Sequence, residues 1–162
     1  MKTPVGIRYP VEAGHPEFLR DESRCRGRAD SISFPADERE LRAHLAWAYD
    51  QGLPVTVQGS RTGITGGAVP AGGHVLSLWR MRLIRGIRPR PDGGWYLRVE
   101  PGVLLSDVRD CLRDRSADIA DWPTDDRAAW ETFERGPACL FPPDLTEVSA
   151  SVGGLAATNG SG

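Results

Sequence analysis

A chain of 162 residues, 40% hydrophobic and 26% charged, has the composition of a globular domain able to bury a core, which excludes a disordered segment. Its net charge of −2 supplies no field favouring nucleic acid or an anionic membrane, so nucleic acid is excluded as a partner. No apolar run is long enough to span a bilayer and no signal-peptide core opens the chain; Cys25, Cys111 and Cys139 read as reduced thiols of a cytoplasmic protein, and His15, His44 and His74 lack metal-ligand spacing, so no metal is expected.

Taken in order, residues 1–30 read as a polar, irregular N-terminal extension. Arg20, Arg24, Arg26 and Arg28 interleave there with Asp21, Glu22 and Asp30, the pattern of a solvated face. Ser31 to Phe34 alternates like a short strand stopped by Pro35. Asp37 then caps a helix expected to run to Gln51-Gly52, with Glu40 three residues on and Leu41, Leu45, Ala48 and Tyr49 as its apolar face. Pro54 to Val57 is the next strand. Strand, helix, strand is a βαβ unit, and ligands gather at the carboxyl ends of such strands.

At that end begins Gln58-Gly59-Ser60-Arg61-Thr62-Gly63-Ile64-Thr65-Gly66-Gly67-Ala68-Val69-Pro70. Small residues allow close backbone approach, and N–H groups can point at an anion. A phosphate cradle and a flexible glycine turn are both open on this evidence. Arg61 either pairs with a phosphate or stays in solvent. The spacing is neither the dinucleotide fingerprint nor a P-loop.

Residues 74–78 read as a strand, and Trp95 to Val99 as one arm of an antiparallel hairpin around Asp92-Gly93-Gly94. Leu104 to Arg115 reads as a helix with Ser106 at its N-cap and Leu105, Val108, Cys111 and Leu112 on its buried stripe. Residues 116–137, acidic and rich in tryptophan, read as an insertion with a short helix from Asp126 to Arg135. A second stretch of small residues and hydroxyls then closes the chain: Phe141-Pro142-Pro143-Asp144, Thr146, Ser149, Ser151, Gly153-Gly154 and Thr158-Asn159-Gly160-Ser161-Gly162. Two such stretches could grip both ends of a dinucleotide. A chain stopping inside a glycine-rich turn reads as the front part of a longer protein.

Jointly, these pieces resemble the FAD-binding domain of the vanillyl-alcohol oxidase / p-cresol methylhydroxylase type. The nearest resemblance is to its D-lactate dehydrogenase and glycolate oxidase FAD-subunit branch. The resemblance is carried by Phe34-Pro35, the helix over 37–51, Leu53-Pro54-Val55, Gly59 to Pro70, Val75 to Leu78, Val99 to Val103 and Phe141 to Gly162. It implies an α+β fold of two subdomains, a small βαβ subdomain over 31–70 with the pyrophosphate loop, then a mixed or antiparallel sheet subdomain over 71–162, incomplete at its C-terminus.

It also implies cofactor contacts from Gly59, Ser60, Arg61, Thr62, Gly63, Ile64, Thr65 and Gly66. A second set comprises Pro143, Asp144, Ser149, Ser151, Gly153, Gly154, Thr158, Asn159 and Ser161. Thr62 stands where some relatives attach FAD through a histidine, so non-covalent FAD is implied. The implied activity is oxidation of a small-molecule 2-hydroxy acid such as D-lactate or glycolate, by hydride transfer to FAD. Catalytic residues are expected beyond residue 162. The electron acceptor is unidentified, and a peripheral membrane or electron-transfer partner and an oligomer stay open. The rival reading is a non-catalytic nucleotide-binding or regulatory module that retains the fold.

Overall fold

The computed structural model describes residues 8–142 and 147–160. Contacts divide the chain after Met81, into Met1–Met81 and Arg82–Gly162.

In the first unit the elements are β1 (Arg8–Pro10), α1 (Val11–Gly14), a 3-10 turn (Pro16–Leu19), β2 (Ser31–Ser33), α2 (Glu38–Asp50), β3 (Val55–Gln58) and β4 (His74–Ser77). The sheet order is β1-β2-β4-β3. The strands β2 and β3 are parallel, as the βαβ reading requires, but neither touches the other. Both pair with β4, which lies between them. That pairing is why the first unit extends past residue 70, where the sequence reading draws its boundary, to Met81.

The helix α2 starts as its sequence dictates. The Asp37 carboxylate accepts the Glu40 N–H at 2.7 Å, and the Glu40 carboxylate reaches back to the Ala36 N–H at 2.9 Å. Its buried face differs from the expected stripe. His44 and Ala48 are buried, while Leu45 is 40% and Tyr49 86% exposed. The sheet offers this helix a histidine instead of an aliphatic patch. His74 on β4 bonds Ser31 Oγ and Ser33 Oγ, each at 2.8 Å, and stacks on His44, with the rings 6.1 Å apart. The aromatic edge of Trp47 completes the contact at 5.2 Å. Polar strand residues thus select a polar helix face.

Residues 8–30 are not a loose extension. The strand β1 pairs antiparallel with β2, and Val11, Phe18, Leu19 and Ala29 pack with Ile32 and Val75 into one buried cluster. The charged residues between these anchors stay outside, so the segment looks polar while its apolar minority builds most of this cluster.

In the second unit, β5 (Ile84–Pro89) and β6 (Trp95–Val99) form the expected antiparallel hairpin, with a bulge between Ile84 and Gly86. Three helices follow: α3 (Leu105–Asp114), α4 (Thr124–Arg135) and α5 (Val152–Thr158). The cap of α3 is not Ser106. Its N-cap residue is Leu104, whose N–H donates to Asp107 Oδ2 at 3.1 Å. Burial pushes the Cys111 thiol up to about 11, as suits an inert core thiol.

Residues 116–137 are the core of this unit, not an appendage. Trp122, Trp130 and Phe133 are buried against Ile87 and Cys111. Each indole N–H has an acceptor at 2.8 Å, Ile84 O for Trp122 and Glu134 Oε1 for Trp130. Asp126, 1% exposed, accepts from Arg88 at 3.2 Å. Among the described residues, no helix is long and apolar enough to cross a membrane.

Candidate functional site

The loop after β3 begins at a strand end. Gln58 is paired in register with Ser77 at the carboxyl ends of the parallel strands β3 and β4, and the chain then leaves the sheet through Gly59 and Ser60. Among the described residues, no N–H from Arg61 through Gly67 has an acceptor. The loop closes through Val69 N–H, which donates to Gly66 O at 3.0 Å. A Cβ placed on Gly63 would meet nothing within 4 Å. The loop therefore presents bare main chain with room in front of it.

Arg61 adds one cation. Its φ of 61° is left-handed, uncommon outside glycine, and its guanidinium carbon sits 4.0 Å from the centre of the Phe18 ring. Burial lowers its pKa, with Glu17 opposing that shift from a distance. No carboxylate among the described residues forms an ion pair with it. A cavity of about 510 Å³ opens beside Ser60 and Arg61, lined also by Glu17, Arg20, Asp21, Glu22 and Arg24. A half-buried guanidinium in no direct ion pair among the described residues, next to a row of unpaired amides, offers an anion one cation and several donors.

The second stretch is built otherwise. It is expected as a loop, yet residues 152–158 are helical. Ser151 caps α5 by accepting the Gly154 N–H at 3.3 Å, and Asn159 ends it in the left-handed conformation. The amides are already bonded: Val152 N–H to Val103 O at 2.8 Å, Gly153 N–H to Pro101 O at 2.9 Å and Leu155 N–H to Ser151 O at 3.0 Å. Gly153 is required by packing, since a Cβ there would stand 2.6 Å from Pro101 Cβ. The Ser149 hydroxyl bonds Glu147, and Thr158 Oγ1 donates to Gly154 O at 2.9 Å. Pro143, Asp144 and Ser161 lie outside the described residues.

Two residues beyond the expected cofactor contacts belong to the first loop's setting. Phe18 carries the guanidinium, and Gln58 spans to a distant carbonyl. Neither has a local signal, because each acts across about forty residues of chain.

Two parallel strands, β3 and β4, thus end beside an open loop of unpaired amides and a half-buried guanidinium, a setting chemically suited to an anion. The FAD binding domain family matches residues 29–122, more than half of the sequence, and the chain belongs to that family. It is 31% identical to a D-lactate dehydrogenase of Anaerostipes hadrus over 149 residues, 90% of this chain and 26% of that protein. It is 32% identical to a D-2-hydroxyglutarate dehydrogenase of Xanthomonas citri pv. viticola over 136 residues, 82% of this chain and 23% of that one. Among solved structures, aclacinomycin oxidoreductase superposes with a TM-score of 0.65 at 18% identity, covering 98% of this chain and 27% of that one. 6-Hydroxy-D-nicotine oxidase of Arthrobacter nicotinovorans gives 0.55 at 24% identity, over 70% of this chain and 25% of that one. The chain thus spans about a quarter of the length of these relatives, and the cofactor its fold serves is FAD.

Proposed function

We propose that this chain is the FAD-binding part of a flavin-dependent oxidoreductase that oxidises a small 2-hydroxy acid of the D-lactate or glycolate type. The observation that carries the cofactor half is the row of unpaired N–H groups from Arg61 to Gly67 beside the Arg61 guanidinium. Those groups suit the diphosphate of a flavin nucleotide, which needs many donors and a counter-charge in a small space. The substrate half is supported by the names of two relatives, a D-lactate and a D-2-hydroxyglutarate dehydrogenase.

When bound, FAD supplies hydride acceptance from the substrate C–H bond. The residues of this chain bind and orient. Gly59, Ser60, Thr62, Gly63, Ile64, Thr65 and Gly66 provide main chain and hydroxyls, and Arg61 provides charge. Ser149, Thr158 and Asn159, with Pro143, Asp144 and Ser161, are proposed flavin contacts of the second unit through side chains. The amides of Gly153 and Gly154 are already bonded, to Pro101 O and Ser151 Oγ. Thr62 stands where some members of the resembled family attach FAD through a histidine, and the proposed flavin is therefore a non-covalent one.

Titration of the full chain with FAD, followed by quenching of flavin fluorescence, tests this. Gly63→Val, which the fold accommodates, should weaken binding at least about tenfold, or 1.4 kcal/mol. Arg61→Ala should weaken it similarly and flatten its salt dependence. Acid precipitation should leave the flavin in the supernatant. Unchanged affinity in both variants removes the loop from the cofactor site.

A further inference from the structure

Gln58 ends β3 and is fully buried. Its side-chain nitrogen donates to two carbonyls far apart in sequence, Phe18 O at 2.8 Å and Ala68 O at 2.7 Å. A carboxamide nitrogen carries two hydrogens, so both are used. Ala68 lies at the far end of the loop that Gln58 begins. One side chain therefore closes the neck of the loop and ties it to the 3-10 turn at Phe18.

The surroundings reinforce the same place. Asp21 Oδ2 accepts the Ala68 N–H at 3.4 Å, and Arg28 N–H donates to Pro70 O at 2.9 Å. A Cβ on Gly27 would stand 2.0 Å from that same Pro70 oxygen, so the strand-like segment at Gly27 lies hard against the loop exit. Inside the neck, Arg61 to Gly67 donate no backbone bond among the described residues, and the Arg61 side chain stacks on Phe18. The shape of the loop must then come from its neck and from that stack. Phe18 takes part in both, through its carbonyl and its ring.

We infer that Gln58 is a positioning residue for the cofactor diphosphate. By holding the Phe18 and Ala68 carbonyls together it sets the mouth of the Arg61–Gly67 loop, and the segment from Phe18 to Arg28 is the brace on which that loop is built. The inference rests on the reading of this loop as the diphosphate cradle.

Two variants of the full chain test it. Gln58→Glu keeps size and shape but exchanges the donors for acceptors. Gln58→Met keeps length and removes polarity without adding charge, and it decides the matter if the glutamate variant does not fold. In FAD-free protein, hydrogen exchange at the Val69 and Arg28 amides should quicken at least about tenfold, while Val75 and Leu76 in the β4 ladder keep their protection. The Kd for FAD should rise at least about tenfold. Equal loss of protection in the ladder makes Gln58 a packing residue and overturns the inference, as does unchanged exchange at the neck. A wild-type chain that binds FAD, with variants that bind it equally well, overturns the positioning role alone. A wild-type chain that does not bind FAD overturns the cradle reading and the positioning role with it.

Discussion

In the first unit the N–H groups from Arg61 through Gly67 have no acceptor among the described residues. In the second, those of Val152, Gly153, Gly154 and Leu155 are all bonded, to Val103 O, Pro101 O, Ser151 Oγ and Ser151 O. Both stretches are rich in glycine and hydroxyls, so composition alone makes them look like two copies of one device. What separates them is the use of the main chain. A serine that caps, followed by Leu155-Ala156-Ala157, turns the second stretch into a helix despite its paired glycines, whose propensity cost is about 1 kcal/mol each. The first stretch has neither a cap nor an apolar period, and its backbone stays available.

The widest contrast expected between the units is with acid. All three histidines lie in the first, and the His74 pKa is lowered to about 4 by burial, then by His44 and Arg8. The unfolded value is 6.5. Between those values the unfolded chain takes up a proton that the folded sheet refuses. Stability therefore falls as pH drops from 6.5 towards 4, by on the order of 3 kcal/mol, and is fully present above 6.5. Urea midpoints measured from pH 7 to 4.5 check this, and a flat profile breaks it.

Next in size is the same substitution made in both stretches. Gly153→Val drives a branched side chain into Pro101 and should destabilise by about 2 kcal/mol. Gly63→Val should leave the thermal midpoint unchanged while FAD affinity drops. If both variants lose stability and neither loses affinity, the two stretches are not as different as their backbones indicate. Smallest is Ser151→Ala, which removes the cap of α5 and should cost about 1 kcal/mol, read as a shift of the denaturant midpoint without loss of the rest of the unit.

Much of the first sheet was legible. Asp37, Glu40 and Gly52 mark the ends of α2 through local chemistry, and the loop after β3 stands out because bare glycines follow an apolar strand. The brace was not legible. Val11, Phe18, Leu19 and Ala29 are spaced without any period and are separated by charges, so nothing local distinguishes them from a solvated tail. The apolar stripe of α2 misled for a related reason, since its buried face answers to His74, 30 residues further along than His44. The 116–137 segment concealed a core because its acids lie beside tryptophans whose indole N–H groups needed acceptors only the fold supplies. The neck at Gln58 depends on a carbonyl 40 positions away, a distance no motif encodes.

The order β1-β2-β4-β3 sets a sequence of events for synthesis. As the polypeptide leaves the ribosome, α2 can wind early and β2 can pair with β1, but β3 has no neighbour, and the other edge of β2 stays open, until residues 74–77 arrive to lie between them. The loop after β3 is thus already outside when β4 slides in. Nascent chains halted before Ser77 would carry unsatisfied strand edges, which makes that short insertion the moment at which this unit is most exposed to aggregation.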